Sequence, residues 1–407
     1  MSEWKTYSLG DFAEINPKIS LKQGQEYSFV EMKDLDATFK YVSPSTKKEL
    51  KGGSKFQNGD TLFARITPCL ENGKICQVKN LENNLGFGST EFLVFRGRKN
   101  ISDSDFVYYL SRSEFVKNNA IQLMTGSSGR QRVEKSTLAE LEVIVPNDIE
   151  NQQQIAQILS SLDDKIELNL QMNQTLEAMA QALFKEWFVD FKFPGFDGEL
   201  VNGLPEGWRI RKISDLFEVT DFVANGSFAS LAENVQYKSE PDYAVLIRLT
   251  DYNRGFNGDF VYINEHSYDF LVKSKLFGDE IIVANVGANA GDVFRAPFLN
   301  RPMSLGPNAI MIKNNNATDF LYSYLISEFG QHSLKSIIAG SAQPKFNKTD
   351  FRKLEFICPS DNVLNLYTEV YSSIKAKVNS NKAQIQTLTQ TRDSLLPRLM
   401  SGKIEVN

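Results

Sequence analysis

A chain of 407 residues that is 42% hydrophobic and 23% charged has the composition of an ordinary globular protein with room for two or three domains. Its formal net charge of −5 excludes whole-surface attraction to a polyanion, so any nucleic-acid contact must come from local basic patches or from a basic partner. No run of roughly 18 apolar residues appears, and Met1-Ser2-Glu3-Trp4-Lys5 lacks a signal-peptide pattern, which places the chain in the cytoplasm with no membrane role. Cys69, Cys76 and Cys358 form no CxxC and read as reduced, packed thiols.

In chain order, Thr61–Ile66, Phe92–Phe95 and Leu141–Val145 are apolar or β-branched runs bounded by Gly, Asn and Pro, and predict strands. Phe106–Lys117 has helical spacing, with aromatic residues that belong to a core. After Pro146, Asp148 or Asn151 caps a long helix. Its apolar stripe, Ile155, Leu159, Leu162, Ile166, Asn169, Asn173, Leu176, Ala180, Leu183 and Trp187, alternates four and three residues apart, the rhythm of a coiled-coil seam. Phe193-Pro194-Gly195 is expected to end that helix. Strands follow at Ile281–Val286 and Ala309–Ile312, then a helix at Phe320–Phe329. Beyond Pro359, capped by Ser360 or Asp361, a second stripe runs through Tyr367, Tyr371, Ile374, Val378, Asn381, Ile385, Leu388, Arg392, Leu395 and Leu399. Pro397 predicts an end or kink just before Leu399.

The second half therefore restates the first. Trp4, Asp11 and Glu14 match Trp208, Asp215 and Glu218 at an offset of 204; Gly59-Asp60 finds Gly278-Asp279; Asp105–Tyr108 matches Asp319–Tyr322 at 214; the stripes match at 212. An offset that drifts and recovers signals two copies with a common frame and variable loops. Asn169 and Asn381 fall on equivalent seam positions, where a buried Asn fixes register at a cost in stability.

Polar, glycine-punctuated loops recur at equivalent places: Thr67–Lys74 and Gly126–Arg132 in the first copy, Asn285–Gly291 and Gly340–Lys345 in the second. Arg and Lys pair with guanine, Asn and Gln with adenine, and Ser, Thr and loop amides with phosphate. The candidate contact residues are Thr67, Asn72, Lys74, Arg130, Gln131 and Arg132, and then Asn285, Asn289, Arg295, Ser341, Gln343 and Lys345. Basic residues also bunch at Arg96-Gly97-Arg98-Lys99. The same frame with different letters points to two readers of two short sequences. Candidate helix-interface residues are Leu159, Leu162, Ile166, Asn169, Leu176, Leu183, Tyr371, Ile374, Val378, Asn381, Leu388 and Leu395.

Catalytic signatures are missing from the sequence: no Asn/Asp-Pro-Pro-aromatic stretch, no GxxxxGK[ST], no convincing nuclease cluster after Pro241-Asp242, and only His266 and His332 as histidines. The chain thus reads as non-catalytic and as binding no metal or cofactor itself. An adaptor with duplicated protein-binding domains on a coiled coil is the alternative.

Leu183-Phe184-Lys185-Glu186-Trp187-Phe188, then Phe193–Leu200 and Leu204-Pro205-Glu206-Gly207-Trp208, resemble the central junction of specificity subunits of type I restriction-modification systems. Arg65–Cys69, Asn72-Gly73-Lys74 and Gly340–Pro344 are similar to segments recurrent in such domains. The resemblance covers essentially the whole chain and implies an α+β fold: two strand-rich target-recognition domains separated by two long antiparallel coiled-coil helices, in pseudo-two-fold symmetry. It further implies the order target-recognition domain 1 (residues 1–147), spacer helix 1 (148–192), target-recognition domain 2 (193–359, with junction 193–208), and spacer helix 2 with a tail (360–407). The implied partners are double-stranded DNA with a bipartite, gapped target, two methylation subunits that carry S-adenosylmethionine, and up to two restriction subunits that use ATP and Mg.

Overall fold

The computed structural model describes residues 3–127, 129–256 and 258–406. It divides into two compact units, one of Met1–Gln174 with Asn379–Asn407 and the other of Thr175–Val378.

In each unit a strand zips to the strand that precedes a long helix. Lys5 faces Val145 in one antiparallel ladder, and Arg209 faces Cys358 in the other. A single helical turn follows, Leu9–Phe12 or Ile213–Leu216. Both turns are closed by hydrogen bonds within their first four residues: the Ser8 hydroxyl accepts from Asp11 N–H, and the Asp215 carboxylate accepts from Lys212 N–H.

The central strands carry the apolar runs. Thr61–Ala64 lies between Phe92–Gly97 and Ile75–Val78, and Ile281–Ala284 lies between Ala309–Ile312 and Val293–Arg295. Every residue of Thr61–Ala64 and Ile281–Ala284 is buried, so these strands show no polar alternation. A second sheet completes each unit, four-stranded in the first and five-stranded in the second.

The ladders equate Thr61 with Ile281, because Thr61 faces Gln77 and Phe95 as Ile281 faces Arg295 and Ile312. This corrects the match of Gly59-Asp60 with Gly278-Asp279 by one residue. Gly59 and Asp279 are the equivalent left-handed positions, at φ 87° and 71°. Aspartate tolerates that conformation, so the glycine is not a fixed landmark. Asp60 and Glu280 are then the equivalent buried carboxylates, accepting from Gln57 N–H at 2.8 Å and Phe277 N–H at 2.9 Å.

The expected helices at Phe106–Lys117 and Phe320–Phe329 are each two helices. Ser104–Arg112 and Glu114–Gln122 meet at Ser113; Thr318–Ile326 and Glu328–Ile337 meet at Ser327. Each serine is extended, donates its hydroxyl back to the preceding helix, and accepts an amide from the next. A residue that satisfies both helix ends lets the chain turn without exposing backbone groups.

Ile149–Phe188 and Asp361–Met400 are 40 residues each, at an offset of 212. At 1.5 Å per residue each is about 60 Å long. Within the first unit the pairings Asp163–Arg392, Asn169–Gln384 and Asn173–Asn381 run in opposite chain directions, so the two segments there are antiparallel. Leu159, Ile166, Asn169, Tyr371, Val378 and Asn381 are buried, while Leu162, Leu176, Leu183, Ile374, Leu388 and Leu395 are half-buried. Asn169 donates to Gln384 at 3.2 Å and Asn381 donates to Asn173 at 2.9 Å.

Two helix ends differ from expectation. The first helix stops at Phe188, before Phe193-Pro194-Gly195 is reached. Phe191 takes a left-handed φ of 55° and sets its ring 5.4 Å from that of Trp208, which turns the chain. The second helix continues through Pro397 to Met400. Its last residues, Leu399 and Met400, are buried in the first unit's core with Ile155 and Leu159, and this packing outweighs one missing amide donor in a final turn.

Candidate nucleic-acid interface

Three loop segments meet beside each central sheet, and they meet through the same backbone bonds. In the first unit, Arg65 N–H donates to Glu91 O at 3.0 Å, Thr67 N–H to Gln131 O at 3.0 Å, and Val133 N–H to Arg65 O at 2.9 Å. In the second, Asn285 N–H donates to Asn308 O at 3.1 Å, Gly287 N–H to Pro344 O at 2.9 Å, and Phe346 N–H to Asn285 O at 3.1 Å. Isolated bridges join Arg132 to Ile66 and Thr125, and Lys345 to Val286 and Ala339. Arg65, Glu91 and Arg132 are therefore the counterparts of Asn285, Asn308 and Lys345. The scaffold is held by main chain, which frees the side chains to differ.

Those side chains fall into two groups. Asn72, Arg130, Asn289, Ser341, Gln343 and Lys345 are exposed and Gln131 is half-buried; among the described residues none makes a side-chain hydrogen bond. Ser128, in the same loop as Arg130, lies outside the described residues. The second group builds the loops. Thr67 Oγ1 accepts from Gln131 N–H at 3.1 Å, Lys74 Nζ donates to Met32 O at 2.9 Å, and Asn285 Nδ2 donates to Phe346 O at 3.3 Å.

Arg132 belongs partly to each group. Its Nε lies 2.9 and 3.0 Å from the two Glu91 carboxylate oxygens and its Nη2 2.6 Å from Oε1. Arg65 reaches the same carboxylate at 3.4 Å. The hydrogen bond from Arg132, reinforced by the charge of both arginines, holds the Glu91 carboxyl below its ordinary value against the opposing effect of burial.

Arg295 does not join the loops. It faces Ile281, at the opposite end of the strand from the Asn285 loop, and its side chain is only 14% exposed. The guanidinium lies over the Tyr322 ring at 4.2 Å and bonds Asp319 at 2.7 Å and Asp279 at 3.1 Å. Lys375, on the second long helix, bonds the same two carboxylates at 2.8 and 2.9 Å. This cluster fastens helix to sheet. The Arg96 to Lys99 patch dissolves likewise: Arg96 pairs with buried Asp60 at 2.6 Å and Arg98 donates to Gly10 O, leaving Lys99 exposed.

Sequence reading missed Glu91, Arg65 and the polar cluster that docks the helices on the first unit. There, buried Lys40 bonds Asp105 at 2.9 Å, and Arg392 bonds Asp163 at 2.7 Å while Tyr109 donates to Asp163 at 2.6 Å. The repeat of Asp105 as Asp319, and the presence of Arg392 in an apolar stripe, were the available signals.

A profile described as "Type I restriction modification DNA specificity domain" matches residues 1–178 and 205–390, one stretch for each copy. The chain belongs to this family. Among its relatives within the family, the specificity subunit of the type I restriction enzyme HindI from Haemophilus influenzae is 28% identical over 99% of this chain and all of its own length. That of the type I restriction enzyme MjaIX from Methanocaldococcus jannaschii is 26% identical over 99% of this chain and 94% of its own. The crystal structure of the type I restriction-modification S subunit from M. genitalium covers 98% of this chain and 96% of its own at a TM-score of 0.54 and 16% identity, a likeness of fold.

Proposed function

We propose that this chain is the DNA-reading subunit of a type I restriction-modification assembly, with each unit meeting one half of a bipartite, gapped target. The observation that carries this reading is the duplicated loop scaffold: identical main-chain pairing presents Asn72, Arg130 and Gln131 in one unit and Asn289, Ser341, Gln343 and Lys345 in the other. Unspent amide, hydroxyl, ammonium and guanidinium groups are the chemistry that base edges and phosphates accept. Membership of the DNA specificity family supports the same assignment.

The chain contributes recognition and leaves catalysis to other chains. Two methylation subunits dock on it and hold S-adenosylmethionine; restriction subunits that use ATP and Mg join the same cytoplasmic complex. The two long helices link the readers and fix the unread spacer. Methylome sequencing of a host that carries the chain with its cognate methylation subunits tests this reading: one gapped bipartite motif, methylated only when the chain is present, is expected. Methylation that is ungapped, or independent of the chain, refutes it.

A further inference from the structure

The loop scaffold differs between the units at one place where the difference has a chemical meaning. Glu91 sits in the turn between Leu85–Gly88 and Phe92–Gly97, fixed by its own backbone bond to Arg65. Its carboxylate takes the Nε edge of Arg132, using the N–H of Nε and one N–H of Nη2. Arg132 Nη1 spends one hydrogen on Arg130 O at 3.3 Å. A guanidinium has five N–H donors. One hydrogen therefore remains on each of the two terminal nitrogens, so the end of the guanidinium still offers two donors, and the side chain is 34% exposed.

A fork that is pre-aimed in this way matches the O6 and N7 acceptors of guanine in the major groove. Holding the arginine beforehand removes the rotamer freedom that a long side chain otherwise loses on binding. Neighbouring Arg130 is exposed and unbraced among the described residues, the condition of a phosphate contact. In the second unit the counterparts of Arg65, Glu91 and Arg132 are Asn285, Asn308 and Lys345, so an amide stands where the carboxylate was, an ammonium replaces the guanidinium, and Lys345 has no ion pair among the described residues.

Resting on the DNA-reading function above, the geometry points to Arg132 as a guanine reader and Glu91 as the residue that positions it, so the half-site met by the first unit contains an invariant G·C pair. Lys345, an ammonium on a flexible stem, gives the second half-site no equivalent pre-aimed fork.

The test uses the complete complex with its methylation subunits. Methylomes of the parent, Glu91→Gln and Arg132→Lys are compared, with the second half-site as internal control. One guanine position in one half-site is expected to lose discrimination roughly tenfold in both variants while the other half-site is read unchanged. In parallel, the unaltered complex binds duplexes in which each target guanine in turn is replaced by 7-deazaguanine, which lacks the N7 acceptor. One substitution is expected to weaken binding roughly tenfold, and it falls at the position relaxed in the variants. Motifs without an invariant G·C pair in either half-site overturn the proposal, as does equal weakening of all sites by both variants, the behaviour of a phosphate clamp. If a variant directs no methylation, the 7-deazaguanine series on the parent decides alone: affinities all within about twofold overturn the assignment. Failure of the function itself looks different, with no gapped motif in the parent, and the guanine assignment falls with it.

Discussion

Replacing Asp163 or Arg392 should reveal how strongly the first unit holds its helices. The two side chains are 1% and 2% exposed and 2.7 Å apart. Asp163→Ala leaves a buried guanidinium with Thr38 O at 2.9 Å and the half-exposed Asp393 at 2.8 Å. Breaking a buried pair costs about 3–5 kcal/mol, and these surviving contacts put Asp163→Ala near the lower bound. Arg392→Met leaves the Asp163 carboxylate with Tyr109 as its hydrogen-bond donor, a loss of similar size. The double variant removes both charges and should cost well under the sum, with a coupling of about 2 kcal/mol or more. Hydrogen exchange of peptides covering 149–174 and 379–400, measured along a urea series, reads the opening free energy of these segments. Single losses below about 1 kcal/mol, or strict additivity in the double variant, would refute the claim that this pair is a coupled buried ion pair.

The Glu91 carboxyl should titrate below the ordinary glutamate value of about 4.3. Because its folded value is depressed, the bracing of Arg132 is complete above the unfolded value and is lost as pH falls through the folded one; a carboxyl-carbon NMR midpoint at or above the ordinary value contradicts this. Gly330→Ala should destabilise the second unit by about 3 kcal/mol, since a Cβ there lies 2.0 Å from Tyr324 O, whereas the counterpart Val116 is already accommodated in the first unit; urea unfolding of the variant checks it, and an unchanged midpoint counts against it. Inserting one heptad after Asn173 and another before Asn381, at matched height in the helix pair, lengthens it by about 10 Å. The expected result is a spacer longer by roughly three base pairs with both half-sites unchanged; altered half-sites with the old spacer, seen in the methylome, would show that the helices do not set the gap.

The long helices were legible because their pattern is local: a 4-3 stripe interrupted by few polar residues marks each of them, although their exact ends lie outside the stripe's first positions. Central strands were legible for the same reason, being continuous apolar runs. What depended on tertiary pairing was not. Ser113 and Ser327 are ordinary helix residues in sequence and become breaks because both adjoining helix ends use their hydroxyls. Arg295 resembles a loop cation until the ladder sets it opposite Ile281, at the wrong end of the strand. Glu91 was invisible because an acidic residue beside candidate DNA-contact loops has no evident role until Arg132 and Arg65 are seen to converge on it.

The zipped pair of strands at the base of each unit, Trp4–Ser8 with Glu142–Pro146 and Arg209–Lys212 with Glu355–Cys358, has an evolutionary consequence. Chain enters and leaves the strand-rich part of each unit side by side, so everything between is a cassette. Offsets of 204 at the entrance, 220 on the central strand and 213 at the exit record material inserted and removed inside that cassette while the helix that follows starts in step. New loops can be spliced in or rewritten there without shifting a single turn of the helices.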